Sequence, residues 1–208
     1  IFIGIGTGLI VNLYMPSLDK KLQEKQRDLE SNFQIILYEI ALYIREQHMD
    51  WDGKEIAEVG RILDEADELV KRDQENHLLR DDHFYHKYFK MRKKQYEILQ
   101  QMLPLVTRLP EKDHVSERIA VFFEKLSNSV HPGNTAILFL EELKEIREAF
   151  HDEELPATKE EFETRASLHQ LLHEIEEYLL LKSKFKKSDV MLRAKKPRRI
   201  KKEKKTKQ

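Results

Sequence analysis

Cysteine is absent from the 208 residues of this chain, and glycine and proline number only six each. Without cysteine the chain forms neither a disulfide nor a thiolate metal site, which fits a reducing compartment. The low glycine and proline content, together with a charged fraction of 36%, favours long helices over sheets. Sustained alternation of apolar and polar residues is also lacking, so we predict no strands.

Charge is missing from the start of the chain, where residues 1–15 are uncharged and the first charged residue is Asp19. A helix needs about 20 apolar residues to cross a bilayer, so we interpret residues 1–16 as the end of a truncated transmembrane helix. Gly4 and Gly8 have the spacing that lets membrane helices approach closely. Tyr14 lies at the polar end, where aromatic residues collect at headgroup depth. The residues predicted to contact the membrane are Ile1, Phe2, Ile3, Gly4, Gly8, Leu9, Ile10 and Tyr14.

This apolar segment has alternative interpretations. A signal peptide would begin with Met and a basic region and would end at a small-residue cleavage site, and these features are missing. A buried core helix or an interfacial helix stays open, because apolar runs of this length are ambiguous. The three glycines Gly4, Gly6 and Gly8 are a weak sign of a nucleotide site, since no strand–helix unit surrounds them.

Residues 17–185 have the periodicity of a helical bundle, which we expect to be a cytoplasmic domain. Apolar residues recur at spacings of three, four and seven, which predicts about six amphipathic helices. The first helix runs to about His48 and is expected to continue outward from the transmembrane segment. Pro104 is expected to kink or end the third helix, and Thr158 with Glu161 forms a capping box for the last. Because such helices must bury their apolar faces against one another, we predict an all-α bundle.

Two histidine pairs are the candidate metal ligands. His169 and His173 lie four residues apart on a predicted helix, a spacing that can place two imidazoles on one metal ion. The zinc-protease pattern needs Glu directly after the first His, and that position holds Gln170. His83 and His86 form the second pair. We favour surface histidines in both cases and predict no metal site and no cofactor.

Catalytic motifs are also lacking. The carboxylates of residues 141–148 mix with Lys144 and Arg147 at spacings that support a solvated helix face, and we interpret the carboxylates of residues 64–68 as a solvated face as well. The sequence contains no nucleophile elbow, phosphate-binding loop or kinase signature. We therefore predict no catalytic residues and no enzymatic activity.

Residues 84–94 interleave aromatic and basic side chains, as some nucleic-acid-binding proteins do. The aromatic residues, however, fit one broad helix face and the bases fit the opposite face. We therefore interpret the segment as core packing with a solvated basic side, and we do not expect nucleic acid as a partner.

The basic residues are concentrated at the end of the chain. Residues 182–208 hold 14 Lys and Arg residues against two acids, so the rest of the chain is strongly acidic despite a net charge of −1. We predict that residues 186–208 form a disordered polybasic tail. Its partners could be anionic lipid, nucleic acid phosphate or the acidic bundle, and a membrane anchor would make lipid the nearest. The residues predicted to contact an anionic surface are Lys195, Lys196, Arg198, Arg199, Lys201, Lys202, Lys204 and Lys205. Bases on both sides of the bundle favour the cytoplasmic face of the membrane.

Two stretches carry a family resemblance: VNLYMPSLDKKL at residues 11–22, and residues 134–179 with LPATKEEFETRA at their centre. They resemble the C-terminal cytoplasmic domain of the bacterial aromatic acid exporter family, which is related to fusaric-acid-resistance-type membrane proteins. The resemblance covers about residues 1–185 and excludes the tail. It implies an upstream multi-helix membrane region and a role in the efflux of aromatic or weak organic acids. It supplies no binding residues.

Two functions follow as expectations. In the first, the chain is the cytoplasmic domain of an inner-membrane exporter, contacts the bilayer and its own upstream transmembrane region, forms a homo-oligomer, and serves the assembly or regulation of the membrane part. In the second, it is a membrane-tethered interaction module whose tail binds anionic lipid or nucleic acid, without transport.

Overall fold

The computed structural model describes residues 18–46, 50–76, 84–109, 114–133, 135–151 and 155–185. Over these ranges the chain forms six α-helices and no strands, which confirms the predicted all-α bundle. The helices are α1 (Leu18–Glu46), α2 (Lys54–Asn76), α3 (Phe84–Val106), α4 (His114–Ser127), α5 (Ala136–His151) and α6 (Lys159–Ser183). Within the described ranges, no helix combines the length and the hydropathy needed to cross a bilayer.

The predicted transmembrane end, with its eight membrane-contacting residues, lies outside the described residues, as does the basic tail. The proposed continuation of α1 from a membrane helix and the division into three segments therefore stay predictions. His83 also lies outside the described residues.

Helix α1 is the longest helix described and follows the predicted stripe closely. Its 29 residues bury a face with spacings of three and four, because an amphipathic helix must cover its apolar side. The buried apolar side chains are Leu22, Leu29, Phe33, Ile36, Leu37, Ile40, Ala41 and Ile44. This face packs mainly against α2 and α4 and more lightly against α3.

The second half of the bundle is built on α6, which packs against α3 and α5. Phe84 near the start of α3 lies 5.8 Å from the ring of Phe185 just beyond α6, whereas Gln95 further along α3 reaches back to Tyr178. The two helices are therefore antiparallel. Together with α1, they enclose the middle of the bundle.

The helix ends show which local signals acted. Thr158 Oγ1 accepts a hydrogen bond from the Glu161 backbone N–H at 3.1 Å, and the Glu161 carboxylate accepts one from the Thr158 N–H at 3.3 Å. This confirms the capping box. Pro104 lies inside α3, which continues for two residues past it and ends at Val106. At the start of α2, Asp52 Oδ1 accepts from the Lys54 N–H at 3.2 Å after Gly53, which has a φ of +71°.

Candidate functional site

Arg92 of α3 is buried in the middle of the bundle, with only 1% of its surface exposed. Its Nε donates a hydrogen bond to the Tyr88 hydroxyl at 3.1 Å, and its Nη1 donates to Gln95 Oε1 at 3.0 Å. The guanidinium carbon also lies 5.2 Å from the centre of the Phe33 ring, a cation–π arrangement. Among the described residues, Nη2 finds no acceptor. Arg92 is therefore a buried cation with an unused donor.

The carboxylate in this network, that of Glu30, is linked to Arg92 through the hydroxyl of Tyr88. The Tyr88 hydroxyl donates to Glu30 Oε1 at 2.6 Å, and Gln26 Nε2 donates to the same oxygen at 3.2 Å. Burial raises the pKa of Tyr88 well above its usual value; Arg92 opposes this rise and Glu30 adds to it. The phenol therefore keeps its proton and links the half-buried Glu30 to the buried guanidinium.

Lys182 is a second buried cation, in the last turn of α6, and is only 6% exposed. Its Nζ donates a hydrogen bond to the backbone oxygen of His131 at 2.6 Å and lies 5.6 Å from the centre of the Phe185 ring. Burial and the charge of Arg92 lower the pKa of Lys182 to about 7, although Glu30 opposes the shift. This lysine therefore titrates near neutrality. Lys182 is one of the 14 basic residues concentrated at the end of the sequence, but its side chain belongs to the core of the bundle.

The two cations border one small cavity, which we call the Arg92–Lys182 cavity. Its volume is about 20 Å³, and its walls come from α3, α6 and the connection between α4 and α5. Its polar walls include Arg92, Gln95, Ser129, Thr135, Tyr178 and Lys182. Such a cavity can hold one water-sized group beside two positive side chains, which favours an acceptor of hydrogen bonds.

A larger cavity, of about 340 Å³, lies where the end of α1 meets the start of α2 and the end of α3. It is mostly apolar and includes Tyr43, Trp51 and Pro104 in its walls. The Trp51 indole N–H is held by the Glu55 carboxylate at 2.6 Å. Burial, and then the charge of Glu55, raises the pKa of the Glu39 carboxyl in the wall. The volume suits a small ligand with an apolar body.

The candidate metal ligands His169, His173 and His86 do not assemble into a site within the described residues. His169 and His173 both lie exposed on α6, and His86 is exposed on α3. No group of three or more His, Asp or Glu side chains in the described part of the chain is arranged to hold a metal ion.

The aromatic–basic segment packs into the core, as predicted. Phe84, Tyr85, Tyr88 and Phe89 are all buried and form a cluster of ring contacts with centroid distances of 5.3–6.0 Å. Stacked nucleic acid bases would have no access to these rings. The basic residues at positions 87, 90, 93 and 94 are exposed, as predicted. The expectation that every base lies on the solvent face was wrong for Arg92.

The sequence contains a signal for both buried cations, and it lies in their spacing. Arg92 follows Tyr88 by four residues and Phe84 by eight, so it continues the buried face of α3. Lys182 follows Tyr178 by four residues and Ile175 by seven, and it continues the buried face of α6 in the same way. The charge of Arg92 and Lys182 favours a place on the surface, whereas their spacing from buried residues predicts a place in the core.

Comparison with known proteins gives three likenesses. The family described as "Putative aromatic acid exporter C-terminal domain" matches residues 19–183. "Uncharacterized protein YqjA" from Bacillus subtilis (strain 168) is 47% identical over 186 residues, which make up 89% of this chain and 58% of that protein. The chain thus spans less than two thirds of the curated relative's length. A crystal structure of a "putative membrane protein" from Clostridium difficile 630 has the same fold, with a TM-score of 0.68 and 24% identity over 79% of this chain and 98% of that chain.

Proposed function

This chain belongs to the aromatic acid exporter C-terminal domain family, as its sequence resemblance predicted, and on that premise we propose that it is the cytoplasmic helical domain of an inner-membrane exporter of aromatic or other organic acids. In this role the bundle serves the assembly or regulation of the membrane part. Transport itself takes place in the membrane region, where polar residues of the spanning segments face the pathway.

The observation that carries the proposal is the extent of the family match. It begins in the first turn of α1 and ends at the last residue of α6, so the whole bundle is one domain of the family. The family suggests a transport-associated role rather than an enzymatic one. A domain with a continuous core from α1 to α6 suits assembly or regulation, because such a core moves and docks as a unit.

An efflux assay on the complete protein tests this role. Cells that produce the complete protein, or a form without residues 18–185, are loaded with a panel of aromatic acids and their retention is followed. We expect the shortened form to insert in the membrane but to lose efflux, oligomeric assembly or both. A form without residues 186–208 is the control for truncation. Unchanged efflux and unchanged assembly without the bundle would contradict the proposal.

The side of the membrane is testable because the chain contains no cysteine. Leu155 is 90% exposed, so L155C presents a thiol without disturbing the core. With a membrane-impermeant maleimide, we expect no labelling of this thiol in intact cells and full labelling after permeabilisation. Labelling in intact cells would place the bundle outside. The unsubstituted chain is the control.

As a partner of the tail, we propose anionic lipid. Each Lys or Arg near an anionic membrane surface contributes about 1 kcal/mol of attraction, and salt weakens it. To remove the predicted membrane-contacting residues 1–16 from the comparison, both forms start at residue 17. We expect residues 17–208 to bind vesicles that contain phosphatidylserine and residues 17–185 to bind them much less, with the difference shrinking as salt is added. Equal binding of both forms would count against lipid. Preference for nucleic acid over vesicles would favour the tethered interaction module instead.

A further inference from the structure

The Arg92–Lys182 cavity brings two buried cations together without a carboxylate between them. Among the described residues, neither side chain forms an ion pair with Asp or Glu. Glu30 bonds to the Tyr88 hydroxyl and reaches Arg92 only through it. A buried charge without a direct counter-ion is strongly unfavourable, so the pair lacks negative charge.

An unused donor marks the position where that charge is missing. Arg92 Nε and Nη1 are satisfied by Tyr88 and Gln95, whereas Nη2 is buried and has no partner among the described residues. Buried polar groups are almost always hydrogen-bonded, so such an exception needs an occupant. Lys182 borders the same cavity and uses one of its three hydrogens for the His131 backbone oxygen.

The size of the cavity limits the occupant. About 20 Å³ accommodates one water molecule or one monatomic ion. It does not accommodate an aromatic acid or a phosphate group. The occupant is therefore either water or a small ion, and the charges of the walls exclude a cation.

The charge of the walls, rather than their capacity for hydrogen bonds, distinguishes water from an anion. Arg and Lys side chains only donate hydrogen bonds, so a water that accepted from both would still have two hydrogens to donate. The remaining wall combines apolar side chains, such as Leu126 and Phe139, with the hydroxyls of Ser129, Thr135 and Tyr178, which can accept from such a water. A water would therefore satisfy the donors but would bring no negative charge. A halide ion accepts hydrogen bonds only, and it supplies the missing charge.

We propose that the Arg92–Lys182 cavity is a binding site for a monatomic halide, chloride in the cell, held by Arg92 Nη2 and Lys182 Nζ. The site does not depend on the exporter role. Since Lys182 also binds the His131 backbone oxygen, the ion joins α3, α6 and the α4–α5 connection. Burial lowers the pKa of Lys182, and a bound anion opposes this shift and keeps the ammonium charged.

Stability in defined salts tests the site. The 208-residue chain is unfolded by urea in sodium gluconate, and chloride replaces gluconate at constant ionic strength. We expect the unfolding equilibrium constant to fall about tenfold by roughly 150 mM chloride, as for a site with a Kd near 15 mM. Bromide should act alike. Equal stability in gluconate and chloride would overturn the proposal, and stronger stabilisation by formate than by chloride would replace the halide with a carboxylate.

Variants and a direct measurement locate the effect. K182M should lose the chloride response, whereas K184M, which changes an exposed lysine two residues away, should keep it. The wild-type chain, crystallised with bromide, should show an anomalous peak between Arg92 and Lys182, which requires no variant to fold. A cavity without that peak, or a full chloride response in K182M, would overturn the assignment.

Discussion

The α1–α4 interface and the α3–α6 interface keep their charges in different places. At the first, Arg45 lies at the edge with 33% of its side chain exposed and bonds to Glu117 at 3.2 Å and Glu124 at 3.1 Å. At the second, Arg92 and Lys182 are buried, and no carboxylate of the described residues pairs with either directly. The first interface keeps an ion-paired arginine at its edge, and the second buries Arg92 and Lys182 inside it.

This difference determines what each interface responds to. Apolar burial is insensitive to pH and to moderate salt, so the contribution of the α1–α4 interface to stability should stay constant as either is changed. The α3–α6 side contains a lysine with a pKa of about 7 and a guanidinium with an unused donor. Its stability should depend on protons and small anions.

The largest expected effect belongs to the apolar side. Phe123 of α4 is fully buried, so F123A removes a ring and leaves a cavity that costs about 3–5 kcal/mol. Urea unfolding followed by circular dichroism should give the same loss at pH 7.5 and at pH 9.5. F162A, which changes a side chain that is 62% exposed, should stay within about 0.5 kcal/mol of wild type. A loss that varied strongly with pH would erase the contrast between the interfaces.

The second effect belongs to Lys182 and depends on pH. Its folded-state pKa of about 7 lies below the unfolded value of about 10.4, so the unfolded chain binds more protons between these values. Stability from this group is therefore complete above the unfolded pKa and is lost as pH falls towards 7. At about 1.4 kcal/mol per pH unit, wild type should gain about 2–3 kcal/mol relative to K182M between pH 7.5 and 9.5.

Gluconate buffers keep chloride out of that measurement, and K184M provides the matched control because Lys184 is exposed nearby. Unfolding free energies of the three proteins are compared at each pH, so that groups that titrate in all of them cancel. Parallel curves for wild type and K182M would mean that Lys182 does not titrate in this window. The α3–α6 interface would then be as insensitive to pH as its counterpart.

The third effect tests the link between Glu30 and Arg92. Y88F removes the hydroxyl that donates to Glu30 at 2.6 Å and accepts from Arg92 at 3.1 Å. Hydrogen bonds to charged groups contribute about 1.5–3 kcal/mol each, and Glu30 can recover water because it is half-buried. We therefore expect a loss of about 2 kcal/mol in urea unfolding. Y38F, at a tyrosine that is 43% exposed, should be neutral, and an equally neutral Y88F would show that the link contributes nothing.

The sequence predicted the helices of the described chain because the signals that form them are local. The stripe of α1, the capping box at Thr158 and the stop near Pro104 each depend on residues within about two turns. The Arg92–Lys182 cavity depends on contacts between distant parts of the chain, such as Gln95 with the Tyr178 backbone oxygen and Lys182 with that of His131. No local pattern encodes those meetings. The helical periodicity does place Arg92 and Lys182 on buried faces. This signal was overlooked because charged side chains generally prefer the surface.

The smallest effect is expected for Arg45, the arginine at the edge of the α1–α4 interface. R45M removes a cation bonded to Glu117 and Glu124 at the edge of the α1–α4 interface. Exposed ion pairs contribute about 0–1 kcal/mol because water and salt screen them, so the loss in urea unfolding should stay below about 1 kcal/mol and shrink further at high salt. Sodium gluconate supplies that salt, which separates screening from any binding of chloride. A loss above about 2 kcal/mol that salt leaves unchanged would mean that Arg45 also acts as a buried charge, and the two interfaces would then differ only in having or lacking a direct carboxylate partner.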